Sequence, residues 1–366
     1  MPPCLLMFNA GSSSHKATAF SNAGSSLGHW HADMQALSPC WTSATESVLI
    51  ADQNPCGVLN SLLAILHQHD LVPVQVGHRV VHGGTRFVKP TVVDDLVLAE
   101  LDKLASLAPL HNPSSLAVLH AARVAMPAAS HVAMFDTAFH ATIPPVNYRY
   151  AIPAEWSEGE GIRRFGFHGF SHAWSASRAR AILGEVRSRR LVVLHLGQGC
   201  SATAILSGKS HATTMGFTPL DGLPMGTRSG AIDPGALLHL LMQSGMTIES
   251  LSYGLWRKSG WLALSGCSSD FRVVSKSAEA GNPNAAFAIE FLAARCCEVV
   301  ASLAATMGGI DALVFTGGIG ENVESLRLMI LHGTRFLGIL ADNVLVVPAQ
   351  EEQQMVNELL DLVLKQ

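Results

Sequence analysis

Two strand–turn–strand segments of the same plan, about 185 residues apart, constrain the fold of this chain more than any other feature. In the second segment, the apolar run 191–194 is interrupted by Gly197 and Gly199 and resumes at 202–206. In the first, the apolar run 5–8 leads through the small residues NAGSSS to a second strand-like run. Because a repeated pattern indicates repeated structural units, the two hairpins predict a duplicated architecture with one hairpin in each half.

Both hairpin tips consist of residues with little or no side chain. Where no Cβ stands in the way, backbone N–H groups can approach an anion closely, and these tips favour a phosphate group as their ligand. An ordinary tight turn is the alternative interpretation. The first hairpin is not a Walker A loop, because G-x-x-x-x-G-K-[ST] is absent and the chain continues into a strand where that loop would enter a helix.

Length and composition limit the class of protein. A chain of 366 residues is too long for one core and predicts two domains. Hydrophobic residues make up 48% and charged residues only 14%, which is typical of a well-buried globular protein. Since the net charge is −4 and no block of Lys and Arg occurs, neither a nucleic-acid partner nor a membrane partner is predicted. The composition favours chemistry on small molecules.

The cellular compartment is predicted from what the sequence lacks. The first residues carry no basic segment and only a short apolar run, and no run of about 18 apolar residues occurs anywhere, so we expect a cytoplasmic protein. Seven cysteines without C-x-x-C spacing are typical of reduced thiols. His168 and His172 stand four residues apart, but no further ligands occur at matching spacing, so structural zinc is not predicted.

Several polar side chains are placed to bind an anion or a nucleotide. Arg228 lies among small residues in MGTRSG, which leaves its guanidinium group free for a multiply charged oxygen group. Asp136 follows the apolar strand 132–135, where α/β proteins place reacting groups, although a helix N-cap is the alternative. The strand 312–315 and the following TGGIGEN favour a nucleotide lying against bare backbone.

Taken together, these segments resemble the acetate kinase family, which includes propionate and butyrate kinases and lies within the actin, sugar-kinase and heat-shock-ATPase superfamily. The resemblance covers nearly the whole chain. It implies an α/β, duplicated βββαβαβα two-domain, actin-like ATPase fold with an interdomain active-site cleft. The first domain would comprise residues 1–140, completed by a C-terminal helix over 352–366, and the second residues 141–351. The motifs are NAGSSSHK, HRVVHGG, LAPLHNP, FDTAFH, RRFGFHGFSH, MGFTPLDGLPMGTRSG, SGCSSDFR and GGIGEN.

The resemblance also implies the site residues. Transfer of a phosphoryl group would rest on Arg79, His111, Asp136, His168 and Arg228. The substrate's carboxylate and methyl group would contact Arg79, Val81, Leu110, Phe167 and Pro219, and Mg²⁺, which Mn²⁺ can replace, would be held by Asn9 and Glu351. ATP or ADP would contact Ser12, Ser14 and Lys16, the second hairpin His195, Leu196, Gly197, Gln198 and Gly199, then Asp270, Phe271 and Arg272, and Gly318, Ile319, Gly320, Glu321 and Asn322.

The activity that the resemblance implies is reversible transfer of the ATP γ-phosphoryl group to acetate by a homodimer. A carboxylate is already nucleophilic, so direct in-line transfer needs mainly positioning and neutralisation of charge. Asp136 would then either position or support acid/base chemistry. Gln198, Ala231 and Phe170 depart from the family's pattern, which keeps open a nucleotide-binding protein with reduced turnover, and a propionate or butyrate kinase is the other alternative.

Overall fold

The structure is a computed structural model, and it describes residues 2–11, 14–108 and 112–364. The described residues divide into two compact units. The first contains the residues up to Phe139 together with those from Gln350 onward, and the second contains His140–Ala349. No helix in the described ranges is long and apolar enough to cross a membrane.

Each unit is built on one β-sheet. The sheet of the first unit contains strands β1 Pro3–Ala10, β2 Ser14–Phe20, β3 Ser26–Asp33, β4 Cys40–Thr42, β5 Ser47–Leu49, β6 Val72–Val80, β7 Thr91–Val92 and β8 Ser130–Phe135, in the spatial order β5-β4-β3-β2-β1-β6-β8-β7. The sheet of the second unit contains β9 Arg190–Leu196, β10 Cys200–Leu206, β11 Lys209–Thr213, β12 Ala312–Thr316 and β13 Val344–Val346, in the order β11-β10-β9-β12-β13.

The helices surround these sheets. They are α1 Pro55–Gln68, α2 Asp95–Lys103, α3 Asn112–Ala125, α4 Pro145–Tyr148, α5 Gly169–Arg187, α6 Pro234–Met242, α7 Ile248–Arg257, α8 Gly260–Ser265, α9 Phe271–Glu279, α10 Pro283–Thr306, α11 Gly317–Asn322, α12 Glu324–Gly333 and α13 Glu351–Val363. Short 3-10 turns cover Leu104–Leu107, Ala138–Thr142, Arg335–Leu337 and Ala341–Asn343, and a π-helical turn covers Glu155–Gly159.

The two sheets share one topology. In the first unit, β3, β2 and β1 are antiparallel neighbours, and β6 and β8 add to β1 in parallel. In the second, β11, β10 and β9 are antiparallel, and β12 and β13 add to β9 in parallel. The same order of three antiparallel strands followed by two parallel strands occurs twice, so the predicted duplication is confirmed.

The cores explain why the strands are apolar along their whole length. In the first unit, one sheet face packs on α1 and α3 through Phe8, Trp30, Leu62 and Val118. Helix α13 packs against β1 within the same unit. In the second unit, residues 191–194 of β9 are all buried and both faces of the strand are covered. Strands buried on both faces lose the alternation of polar and apolar residues, which is the pattern at 191–194 and 312–315.

Candidate active site

Three charged residues meet at the carboxyl ends of the parallel strands in the first unit. Arg79 lies on β6, and Asp136 directly follows β8, its parallel neighbour. Arg79 Nε donates to Asp136 Oδ1 at 2.7 Å and Nη2 to Oδ2 at 2.6 Å. Arg79 Nη1 also donates to Glu351 Oε2 at 2.9 Å, at the start of α13. The guanidinium group predicted to clamp the substrate therefore binds two protein carboxylates.

Negative charge dominates this cluster. Burial alone lowers the pKa of Arg79, but the charges of Asp136 and Glu351 outweigh that effect and raise the pKa above its ordinary value. Glu352 lies beside Glu351, and its Oε1 is buried with no hydrogen-bond partner among the described residues. Carboxylate and amide oxygens are the protein ligands that Mg²⁺ prefers, and it binds one or two carboxylates while keeping several waters. Asn9, Glu351 and the unpaired Glu352 oxygen thus fit a magnesium ion by their chemistry.

A site made wholly of protein ligands is not present in the described part of the chain. No group of three or more His, Cys, Asp or Glu side chains there is arranged to hold a metal ion.

The first hairpin brings two predicted residues to adjacent strands. Lys16 on β2 is the cross-strand partner of Asn9 on β1. Ser14 begins β2, and its carbonyl oxygen accepts a hydrogen bond from the N–H of Gly11 at 2.9 Å. Of the other residues predicted for the site, Ser12, Leu110 and His111 lie outside the described residues.

Asn112 is a site-supporting residue that the sequence reasoning missed. It is fully buried at the start of α3, and its Oδ1 accepts from the N–H of His82 at 3.1 Å. Its Nδ2 donates to the carbonyl oxygens of His82 and Leu104 at 3.1 and 3.2 Å. Asn112 therefore fixes the turn that follows Val81, which is half-buried directly after β6. An asparagine between His and Pro in PLHNP was the available signal.

In the second unit, His168 is held in a strained conformation. Its φ of 56° and ψ of 30° are left-handed, which is uncommon for a residue other than glycine. Its Nδ1 hydrogen-bonds to Ser201 Oγ at 2.9 Å, and its ring stacks on that of His195 with the centroids 4.3 Å apart. Backbone strain of this kind persists only where the surrounding structure enforces it and is concentrated at functional sites.

Ser201 connects two histidines and was not foreseen. His172 Nε2 hydrogen-bonds to the same Ser201 Oγ at 2.7 Å. Burial holds the pKa of His172 well below its ordinary value of 6.5, so its ring is neutral. His195 is fixed from its other side by Ser171, at 2.7 Å from Nδ1. The signal for Ser201 was a hydroxyl residue at the start of an otherwise apolar strand.

Arg228 and His168 converge on one glycine. A Cβ atom placed on Gly199 would lie 3.0 Å from His168 Nε2 and 3.9 Å from Arg228 Nη1. Arg228 Nη1 donates to the carbonyl oxygen of Pro219 at 3.0 Å, and its guanidinium group lies 5.4 Å from the centre of the Trp256 ring. No carboxylate is within ion-pairing distance of Arg228 among the residues that the structure describes.

An uncompensated, half-buried cation favours an anionic ligand. Burial lowers the pKa of Arg228 from its ordinary value, and the neighbouring Arg257 charge adds to this effect. The guanidinium group nevertheless stays protonated at neutral pH, because the ordinary pKa of arginine lies far above neutral pH. Its charge is therefore available to a phosphate or carboxylate that enters beside Gly199.

Eight residues predicted to bind the nucleotide line one cavity of about 550 Å³ in the second unit. Asp270 and Arg272 form an ion pair on its wall, with Arg272 Nη2 2.6 Å from Asp270 Oδ2, and this interaction lowers the pKa of Asp270. A ninth residue, Val323, was not predicted. The lining residues are Gly197, Gln198, Asp270, Phe271, Arg272, Gly318, Ile319, Asn322 and Val323.

Gln198, which departs from the family's pattern and has a long side chain, fits because residue 226 is a glycine. A Cβ atom on Gly226 would lie only 2.5 Å from Gln198 Oε1. The backbone N–H of Gly226 also donates to the carbonyl oxygen of Gln198 at 3.4 Å. The long side chain is accommodated against bare backbone at this point.

The remaining predicted residues are buried or take part in main-chain hydrogen bonds. Leu196 is fully buried in β9, and Phe167 is 1% exposed, with its carbonyl oxygen hydrogen-bonded to His140 Nε2 at 2.9 Å. The main-chain oxygens of Gly320 and Glu321 accept from Arg327 at 2.9 and 2.8 Å. Gly320 and Glu321 are not among the residues that line the 550 Å³ cavity. Pro219 is buried.

Comparison with known proteins agrees with this arrangement. The sequence profile of the Acetokinase family matches residues 4–359. The acetate kinase of Clavibacter sepedonicus is 44% identical over 308 residues, which cover 78% of this chain and 78% of that protein. The acetate kinase of Leifsonia xyli is 45% identical over 310 residues, covering 79% of this chain and 78% of that protein.

Solved structures show the same similarity. The crystal structure of Porphyromonas gingivalis acetate kinase matches with a TM-score of 0.90 and 32% identity, covering 99% of this chain and 100% of that one. The crystal structure of a propionate kinase from Francisella tularensis matches with a TM-score of 0.91 and 34% identity, covering 98% and 99%.

Proposed function

The chain belongs to the Acetokinase family, and from that premise we propose that it transfers the γ-phosphoryl group of ATP to acetate, reversibly, giving acetyl phosphate and ADP. The observation that carries the proposal is Arg228, a half-buried cation without a carboxylate partner among the described residues, placed with His168 at Gly199. Such a pair can stabilise the oxygens of a phosphoryl group in transfer.

The chemistry requires little covalent assistance from the protein. Acetate is ionised at neutral pH, so its oxygen attacks the γ-phosphorus directly and the β–γ bridging oxygen leaves with ADP. No general base is required, and the transfer is one in-line step. Catalysis then consists of bringing two anions together and neutralising the equatorial oxygens, tasks for which Arg228 and His168 are suited.

We assign the predicted metal to Asn9 and Glu351, with the unpaired oxygen of Glu352 as a further candidate ligand. A bound Mg²⁺, which Mn²⁺ can replace, supplies positive charge to the nucleotide's phosphate oxygens. Asp136 binds Arg79 in a two-point contact, so its proposed role is to position that guanidinium group. Arg79 is proposed to contact the substrate's carboxylate through the guanidinium N–H groups that Asp136 and Glu351 do not use.

The adenosine part of the nucleotide is proposed to occupy the 550 Å³ cavity. Phe271, Ile319 and Val323 give it an apolar wall, and the ion-paired Arg272 presents a planar guanidinium group that is 87% exposed. The flat face of a nucleobase packs well against such a surface, because planar guanidinium groups stack on π systems.

The organisation of the chain follows from the same proposal. We propose that the two compact units correspond to the two predicted domains, 1–140 with the C-terminal helix and 141–351. The enzyme would act in the cytoplasm as a homodimer, with acetate and ATP as its ligands.

A propionate kinase is the second candidate, since one structural match carries that name. A coupled assay of ADP formation with acetate, propionate and butyrate separates the candidates. The proposal predicts the highest kcat/KM with acetate and dependence on Mg²⁺. A preference for propionate would move the chain to the second candidate, and ATP binding without turnover on any of the three acids would contradict both.

A further inference from the structure

The segment that carries Pro219 and Arg228 has no regular secondary structure. We call residues 214–231 the arginine loop; it connects the end of β11 to the residues before α6. Arg228 Nη1 donates to the Pro219 carbonyl oxygen at 3.0 Å, so one part of the loop holds the arginine of another part. The direction of the Arg228 guanidinium group therefore depends on where Pro219 lies.

Close packing covers only part of the back of this loop, where Leu223 is 1% exposed. A cavity of about 530 Å³ is lined by the loop residues Thr214, Asp221, Gly222, Leu223, Pro224, Ser229 and Ala231. Atoms that face a cavity make fewer dispersion contacts than atoms that are packed on all sides. Directional hydrogen bonds and ion pairs therefore contribute to holding the loop on that side.

Arg164 makes such bonds at both ends of residues 214–221, the part of the arginine loop that contains Pro219. Arg164 Nη1 donates to the carbonyl oxygen of Thr214 and to Asp221 Oδ2, the latter at 3.2 Å. Asp221 Oδ1 in turn accepts from the N–H of Gly222 at 2.8 Å. Next to Arg164, the N–H of Phe165 donates to the carbonyl oxygen of Gly216 at 2.9 Å.

The chain segment that contains Arg164 also contains His168, four residues further on. Arg164 is thus connected to both groups that converge on Gly199. It is linked to His168 by the chain itself, and to Arg228 by its contacts with the arginine loop. We propose that the Arg164–Asp221 ion pair is a positioning device that holds Pro219, and through it Arg228, in register with His168. This inference rests on the proposed phosphoryl transfer.

The test compares Arg164→Gln with a matched control, Arg190→Gln. Arg190 forms a two-point ion pair with Asp311 in the same unit, with Nη2 2.5 Å from Oδ1, but it does not contact the arginine loop. Arg164→Gln should lower kcat for acetyl phosphate formation about 10- to 100-fold, the scale of an ångström-level misplacement. KM for ATP should stay within threefold, because no loop residue lines the nucleotide cavity. Arg190→Gln should leave kcat within twofold.

A double-variant cycle distinguishes positioning from general damage. If Arg164 acts through Arg228, adding Arg164→Gln to Arg228→Ala should lower kcat by less than threefold, whereas independent effects would multiply. A full multiplicative loss, or a wild-type kcat in Arg164→Gln, overturns the inference. If Arg164→Gln does not fold, Asp221→Asn is the second variant, with the same expectations.

Hydrogen exchange provides a readout that does not need turnover. Amides of residues 215–226 should exchange faster in Arg164→Gln than in wild type or Arg190→Gln, and equal rates would overturn the inference. An inactive wild-type enzyme would instead contradict the proposed function, and the exchange result would still decide whether Arg164 holds the loop.

Discussion

The two arginines predicted to stabilise transferred charge differ in their surroundings. Arg79 forms ion pairs with Asp136 and Glu351, so it should contribute to the stability of the folded state in addition to its proposed part in the reaction. Arg228 has no such partner among the described residues, so its charge is a cost to folding that is recovered only when an anion binds. Substitution of either arginine should therefore lower activity, but only substitution of Arg79 should also lower stability.

Arg79→Ala and Arg228→Ala should each lower kcat by about 10²-fold or more, the scale for losing one preorganised charge stabiliser. Only Arg79→Ala should also lower the melting temperature, because it leaves two carboxylates without a cation. Steady-state kinetics and calorimetry on both variants test this, with Arg295→Ala, whose partner is the exposed Glu298, as control. An Arg228→Ala kcat within threefold of wild type would remove Arg228 from the mechanism.

The residues predicted to contact the substrate's methyl group allow a second test with single substitutions. Val81 is half-buried after β6, while Phe167 and Pro219 are buried in the second unit. If these residues surround the methyl group, one extra methylene changes discrimination by about 1–3 kcal/mol, so propionate should be used roughly 10- to 200-fold less efficiently than acetate.

Val81→Ala should narrow that gap, mainly through KM, because the contact is equally present in the ground and transition states. The measurement is kcat/KM for both acids in wild type and variant. An unchanged ratio would mean that the methyl pocket has been assigned to the wrong residues.

Among the described helices of nine or more residues, α6 and α7 stand out because neither contains a buried residue. Yet α6 has the sequence PGALLHLLM, and its Leu238 and Met242 are 57% and 74% exposed. On α7, Ile248 and Tyr253 are similarly exposed. Contiguous apolar surface of this kind marks an interface, and a two-fold contact between identical faces is the commonest arrangement.

We therefore expect light scattering to give twice the chain mass of 38.8 kDa at micromolar concentration. Replacing Leu238 and Met242 together by Glu should produce the monomer, because charges would be buried at the contact. Val124→Glu, at an 81% exposed position on α3, should not. A wild type that is already monomeric contradicts the homodimer, and a dimer that survives the double replacement contradicts this face.

The elements that were best predicted are those determined by local sequence. The second hairpin was expected from runs at 191–194 and 202–206 and occurs as β9 and β10. The strand expected at 312–315 is β12.

At the scale of the whole molecule, six histidines are buried within the described residues. Burial lowers the pKa of His15, His82 and His140 to about 4, and that of His78, with the nearby His131, to about 3. The pKa of His131 and His172 is lowered as well. The unfolded chain, with an ordinary histidine pKa of 6.5, therefore binds more protons than the folded chain between about pH 4 and 6.5.

The contribution of these histidines to stability is accordingly complete above about pH 6.5 and is lost as the pH falls toward 4. Between pH 7 and pH 5 this contribution to the free energy of unfolding should decrease by at least about 1 kcal/mol for each fully buried histidine, since one pKa unit corresponds to about 1.4 kcal/mol. Burial raises the pKa of Glu358 to about 7, so this single carboxyl group acts in the opposite direction. Urea denaturation at several pH values measures the sum, and equal stability at pH 7 and pH 5 would show that these rings are not buried neutral.

The sequence by itself determined the hairpins, the helices, the duplication and the residue types of the site. These features depend on apolar periodicity, turn residues and caps, which act between neighbours in the chain. The nucleotide residues could be grouped because the resemblance to a family supplied their four separate segments.

Only the tertiary structure decided which charges meet. Arg79 binds Asp136, 57 residues away, and Glu351, 272 residues away, whereas Arg228 finds no carboxylate among the described residues. Arg164 joins Asp221 across another 57 residues. The resemblance implied that Arg79 and Arg228 both take part in phosphoryl transfer but not how their surroundings differ, because a motif contains no information about which distant side chain will share its buried space. Whether a buried cation is neutralised or left for a ligand depends on those distant partners, and folding alone brings them together.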